Sequence, residues 1–219
     1  MKRVALIHTV RPVLDTFPIL LQEIVGEPIK IHNLLDEFLA SDPAEIGYFS
    51  IENRNKLFND LRSCEFTGAD VIAVTCSTLT PIVEQIRPFI KVPVVAIDDA
   101  MTEAAVQVAS RIKVVATAMS TLGPTIEKLQ TDAAKIGKKI EVDGQDHEPA
   151  YTAMRAGDMQ THDALVLEMI EEVKGYDAIV LAQASMAHLQ EQAQKISGVP
   201  TFASPTLCCE RVKALLSEV

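Results

Sequence analysis

The strongest constraint on this chain is that it repeats itself. Displaced by 107 residues, "ADVIAVTCST" (69–78) falls on "YDAIVLAQAS" (176–185), and "VPVVAI" (92–97) falls on "VPTFAS" (199–204), with no gap in either match. Asp70 meets Asp177, Val92-Pro93 meets Val199-Pro200, and Cys76 meets Gln183. A displacement of 108 brings "ALIHT" (5–9) over the run ending at Thr117. Any two α/β halves share strand-like runs, but an ungapped register of this length, at about half the chain, favours two related units.

Short β-branched runs alternate with helical periodicity, the pattern of an α/β fold with largely parallel sheets. Strands are expected at 3–9, 28–32, 70–75, 92–97, 112–117, 139–143, 177–182 and 199–203. Glu45 to Leu61 and Asp163 to Val173 space their apolar residues by three and four, as amphipathic helices do.

Composition excludes several classes of function. The 219 residues suffice for a sizeable core in one domain or two lobes, and 48% hydrophobic with 23% charged residues is ordinary for a globular protein. No apolar run approaches the roughly 18 residues of a membrane span. "MKRVALIHTV" is interrupted by Arg11, Pro12 and Asp15 before a signal-peptide core forms, so it reads as a first strand. The net charge of −10, without a basic stripe, argues against a nucleic-acid partner. Four cysteines with neither CxxC spacing nor scaffold density point to a reducing, cytoplasmic setting.

In open α/β sheets ligands sit beyond the carboxyl ends of the strands. Cys76, Ser77 and Thr78 occupy that place in the first half; Gln183, Ala184 and Ser185 occupy it in the second. Thr9 follows the first strand, and Thr117, Ser120 and Thr121 follow the fifth. Hydroxyls and free N–H groups there suit a small carboxylate and would hold an enolate formed beside it. A thiol at Cys76 can move a proton to or from carbon, and a helix N-terminus is expected to lower its pKa. The plain alternative is a small buried hydrophobe, a common fate of free cysteine.

On "GADVIAVTCST" (68–78), "ATAMST" (116–121), "DAIVLAQASMA" (177–187) and the two "VP" strands, the chain resembles the aspartate/glutamate/hydantoin racemase superfamily over nearly its whole length. The resemblance implies two pseudo-symmetric α/β lobes, each with a mainly parallel four-stranded sheet flanked by helices. Residues 1–98 plus 205–219 would form the N-terminal lobe and 99–204 the C-terminal lobe, with the active site in the cleft between them. It implies a racemase or epimerase that needs no cofactor and no metal, acts on a small carboxylate such as an amino acid, and assembles as a homo-oligomer. In racemizing relatives one cysteine from each lobe flanks the substrate's α-carbon. Cys76 matches the first, with Thr9, Ser77, Thr78, Thr117, Ser120, Thr121, Gln183, Ala184 and Ser185 around the substrate. The second cysteine would stand at Gln183, whose amide hydrogen-bonds but does not relay a proton at neutral pH.

That substitution keeps other chemistries open. A decarboxylase or lyase resembling arylmalonate decarboxylase needs one thiol, although there the retained thiol belongs to the second lobe. The maleate isomerase branch uses its first thiol as a nucleophile but keeps both. A binding protein that kept the cleft and lost turnover is the non-enzymatic alternative.

Other residues carry weaker signals. Cys208 and Cys209, at the expected start of a last helix, read as packing residues, with a substitute acid as the alternative; Cys64 reads as structural. His8 reads as a satisfied core histidine, Arg11 as a surface arginine or a clamp for a second carboxylate, and His188 as facing solvent or the other lobe. His147 and Glu148 are loop residues that solvate the surface or select substrate. No His, Asp and Cys cluster has metal-ligand spacing, and no glycine-rich phosphate loop occurs.

Overall fold

A computed structural model describes residues 1–218. The chain divides into two compact units, residues 1–97 with 205–219 and residues 98–204. Val219, at the end of the first expected lobe, lies outside the described residues.

Unit 1 is built on β1 (Arg3–His8), β2 (Lys30–Leu35), β3 (Val71–Val74) and β4 (Val94–Ala96), all parallel, in the order β2-β1-β3-β4. β3 is central, and Val71, Ile72, Ala73 and Val74 are all fully buried. Burying each of its branched side chains contributes about 1.5–3 kcal/mol, so an unbroken apolar run is what a strand covered on both faces requires. The covering helices are α1 (Arg11–Val25), α2 (Phe38–Ile46), α3 (Ile51–Phe66) and α4 (Thr80–Ile86).

The single helix expected from Glu45 to Leu61 is two helices. Gly47 ends α2 at φ 84°, a left-handed conformation that only glycine adopts at little cost. Ser50 then opens α3 with a reciprocal cap: its hydroxyl accepts the Asn53 N–H at 3.1 Å, while Asn53 Oδ1 accepts the Ser50 N–H at 2.9 Å. Periodicity cannot register such a break, because both helices bury the same kind of face.

Unit 2 follows the same plan. α5 (Asp99–Val108) leads to β5 (Arg111–Val115), α6 (Met119–Lys135), β6 (Glu141–Gln145), α7 (Glu148–Arg155), α8 (Met159–Glu172), β7 (Ala178–Leu181), α9 (Gln190–Ser197) and β8 (Thr201–Ala203). The parallel order is β6-β5-β7-β8. α10 (Ser204–Leu216) returns to unit 1, where Lys213 Nζ donates to the Ile24 carbonyl at 2.8 Å and Lys2 Nζ donates to that of Leu216. The edge strands β2 and β6 lie two to three residues later than expected, because they are partly exposed and their apolar pattern is diluted.

The sequence repeat is a repeat of bonds. The Asp70 carboxylate accepts the Arg3 N–H at 2.7 Å, and Asp177 accepts that of Arg111 at 2.8 Å, so each aspartate pins the start of its unit's first strand. The carbonyl of Pro93 accepts Ile72 N–H at 2.9 Å, and that of Pro200 accepts Ile179 N–H at 3.0 Å. The duplicated residues are those that fix strand register.

Unit 2 also buries a cation. Lys128, only 2% exposed, lies 2.6 Å from Asp132 and 3.2 Å from Asp99, and Thr102 donates to Asp132 at 2.7 Å. The cluster ties α5 to α6. Removing one member leaves uncompensated buried charge, so Lys128→Met is expected to destabilise the fold by on the order of 3 kcal/mol in urea unfolding.

Candidate active site

In a parallel sheet every strand delivers its last residue to the same edge, and alternation decides which face each side chain takes. Ile7 in β1 lies beside Leu34 in β2 and Val74 in β3. Two residues further on, along the same face, the register places Thr9 between Asp36 and Cys76. In unit 2, Val115 lies beside Gln145 and Leu181, which places Thr117 between His147 and Gln183. The ladders persist past the strands: Asp36 N–H donates to His8 at 2.8 Å and Thr75 N–H to Ile7 at 2.9 Å, as Ala116 does to Gln145 and Ala182 to Val115, each at 2.9 Å.

In unit 1 the row centres on sulfur. Cys76 is half-buried, with an extended backbone (φ −132°, ψ 115°) that turns into a 3-10 segment at Ser77–Leu79. Burial pushes its pKa up; the Thr9 hydroxyl, the Thr78 and Leu79 N–H groups and the Thr78 hydroxyl, all donating to sulfur, oppose the rise without cancelling it. The lowering expected from the helix start is thus overturned: the donors are present, but loss of water outweighs them. Thr9 and Ser77 are buried and Thr78 half-buried.

Behind the row His8 is fully buried, its Nδ1 2.8 Å from the Thr75 hydroxyl and its Nε2 3.1 Å from Asn33 Oδ1. Burial lowers its pKa, with the Asn33 bond opposing, so it is a neutral, satisfied core histidine.

The far end of the row holds a charge cluster that sequence reasoning missed. Asp36 is 7% exposed and ion-pairs with Lys56 of α3. Burial alone would raise its pKa; hydrogen bonds from Lys56 and Asp60, the Lys56 charge and the Phe38 N–H bring it below the usual value. Asp60 is pushed up to about 7 by burial and by its hydrogen bond to Asp36, with the Lys56 charge opposing. Two carboxyls share one proton here because they cannot both ionise at contact distance. No alternation marks it in the sequence: in "KIHNLLD" (30–36) His32 and Asn33 are both polar and Leu34 and Leu35 both apolar.

In unit 2 the row centres on an amide. Gln183 Oε1 accepts the Thr117 N–H at 2.5 Å and the Thr117 hydroxyl at 3.0 Å. Thr117 is buried; Gln183, Ala184 and Ser185 are half-buried at the start of the 3-10 segment Ala184–Leu189. Ser120 is exposed and Thr121 buried on the first turn of α6, and neither is hydrogen-bonded to Gln183 among the described residues.

Comparison with known proteins agrees with this geometry at the level of family and fold. Residues 43–212 match the family model described as Asp/Glu/Hydantoin racemase. The chain belongs to that family. It is 30% identical over 162 residues, 72% of its length, to "Hydantoin racemase" of Rhizobium meliloti, of which it spans only 64%. Its fold is similar to allantoin racemase from Klebsiella pneumoniae (TM-score 0.69, 19% identity, 100% of this chain and 89% of that one). It is also similar in fold to glutamate racemase from Francisella tularensis subsp. tularensis SCHU S4 in complex with D-glutamate (TM-score 0.74, 16% identity, 99% and 81%).

Within the racemase fold the remaining candidates separate clearly. Cys208 and Cys209 are fully buried in α10, and burial, with nearby Glu210, pushes Cys209 up to about 12. Burial and nearby Asp60 push Cys64 up to about 11. Both values describe packing residues rather than acids at work near neutral pH. His188 is 49% exposed, its Nε2 2.8 Å from Asp163, which also lies 2.8 Å from buried His162. Among the described residues no group of three His, Cys, Asp or Glu could hold a metal, and no helix is long and apolar enough to cross a membrane.

Two outcomes test this geometry. Thr9→Val removes a donor to sulfur, so the pH midpoint for alkylation of Cys76 by iodoacetamide should move further up. Asp60 holds its proton in the folded chain to about 7 against an ordinary 3.8, so as pH rises between those values the unfolded chain ionises first and folded-state stability falls. Asp60→Asn removes that loss; its unfolding free energy relative to the parent should therefore increase from pH 4 to pH 8.

Proposed function

We propose that this protein is a cofactor-independent enzyme that transfers a proton at the carbon next to the carboxyl group of a small carboxylate, with Cys76 as carrier. The observation behind this is the sulfur at the carboxyl edge of unit 1, half-buried and faced by four donors. Thiols are effective acids, and thiolates effective bases, toward carbon because sulfur needs little solvent reorganisation. In the racemase-type reaction the Cys76 thiolate takes the α-proton, and the C–H electron pair moves into an enolate whose oxygen hydroxyls and N–H groups hold. Return of that proton from the Cys76 thiol to the face it left restores the substrate; the mirror image forms when solvent water protonates the opposite face and the hydroxide left behind takes the proton from the thiol. Ser77 serves as an oxygen binder beside the sulfur, while Thr78 spends its donors on Cys76 and Thr117 on Gln183. Ser120, Thr121 and Ser185 are the oxygen binders proposed at the corresponding edge of unit 2.

A second reading has its own support. The raised Cys76 pKa keeps a protonated thiol at neutral pH. Gln183, at the position where the resemblance puts a second thiol, has no proton to relay. Both features suit a decarboxylase or lyase: carbon dioxide leaves, the C–C electron pair remains on carbon, and the Cys76 S–H supplies the proton.

The pH profile separates the two. Incubation of amino acids, hydantoins and substituted malonates in deuterated water should give α-deuterium, with a rate rising from neutral to alkaline pH if the thiolate starts the reaction. Carbon dioxide release with a flat neutral profile and an alkaline fall marks the thiol. Cys76→Ser should reduce either rate by roughly 100-fold or more. Tight binding without exchange or gas release, unchanged in Cys76→Ala, would instead mark a binding protein.

A further inference from the structure

Two side chains at the unit 2 edge have their polar atoms oriented by the same device, a backbone N–H that permits one assignment only. The Thr117 N–H donates to the Gln183 side chain at 2.5 Å, so the atom it meets is the carbonyl oxygen. The amide NH2 therefore points away, and among the described residues it has no hydrogen-bond partner. His147 caps α7: the Ala150 N–H donates to its Nδ1 at 3.2 Å, so Nδ1 is the unprotonated nitrogen and the neutral ring carries its hydrogen on Nε2. That N–H is likewise unpartnered among the described residues. His147 and Gln183 flank Thr117 in the register, which sets their backbones roughly 10 Å apart, two strand spacings. A small molecule with two acceptor oxygens spans that interval.

The surroundings decide which oxygens. No Lys or Arg occurs in 116–124, 145–151 or 182–189, the three segments at this edge, while Asp146 and Glu148 flank His147. A carboxylate would meet neutral donors beside negative charge; an uncharged carbonyl would meet two donors already oriented.

We propose that His147 and Gln183 form a fixed pair of hydrogen-bond donors that selects ligands by uncharged carbonyl oxygens of the amide or imide type. The inference rests on the proposed proton transfer and narrows its substrate, from a carboxylate to an amide or imide carbonyl, which also acidifies the carbon beside it; recognition itself is measured without turnover. Thr117 is a positioning residue, and His147 and Gln183 are the specificity residues.

The test is calorimetric binding of 5-methylhydantoin and of malonate to the full chain at pH 7. Gln183→Glu keeps an oxygen facing Thr117 and replaces the NH2 by an acceptor. His147→Ser keeps a capping oxygen and removes the Nε2 hydrogen with no side-chain N–H in its place. Each should weaken 5-methylhydantoin about tenfold, the worth of one hydrogen bond left unmade, with the melting temperature preserved and malonate unchanged in His147→Ser, which adds no charge. The proposal is overturned if both variants bind 5-methylhydantoin within about twofold of the parent, if malonate weakens equally in His147→Ser, or if the parent binds neither probe. A parent that binds in a Gln183-dependent way yet exchanges no proton with solvent sinks the proton-transfer reading and leaves this one standing.

Discussion

Each unit depends on a threonine hydroxyl placed where its first strand ends. Thr9 and Thr117 occupy equivalent positions, buried at the carboxyl edge, and each donates to the side chain that the central strand brings alongside. A buried hydroxyl must find a partner, and that requirement turns a flexible side chain into an oriented one. In unit 1 the oriented group is a sulfur ringed by donors; in unit 2 it is an amide whose oxygen is consumed, leaving its NH2 outward. The same scaffold thus presents a proton carrier in one place and a fixed donor in the other.

The electrostatics of unit 1 are a contest between burial and hydrogen bonding, and burial wins at the sulfur. Four donors do not return Cys76 to its ordinary pKa, which favours a protonated resting thiol. At the other end of the same row the outcome divides between partners. Asp36 takes the help of Lys56 and stays ionised, while Asp60 keeps the shared proton. The chain's acidity there is a local matter of desolvation and owes nothing to its net charge of −10.

Much of the scaffold was legible because duplication and hydrophobic patterning report backbone geometry directly. β3 and β7, fully buried, coincide with their apolar runs to within a residue at each end, and the correspondence of Asp70 with Asp177 in the repeat reflects their shared role as strand anchors. The edge strand β2 ends later than its apolar run indicates, which hides Asp36 at its edge, because half-exposed strands dilute the alternation that identifies them. α2 and α3 were merged, since Gly47 and the Ser50 cap alter direction without altering the apolar spacing.

By itself, then, the sequence determined two copies of one α/β plan, the strands that carry it, and which side chains stand at the carboxyl edges. These follow from local spacing, which survives in any context. Only the tertiary structure decided that the Cys76 pKa is raised rather than lowered, that Asp36 and Asp60 share a proton beside Lys56, and that Gln183 turns its NH2 outward. Protonation and orientation are set by how far other segments exclude water and which donors they bring close, and residues far apart in the chain supply both.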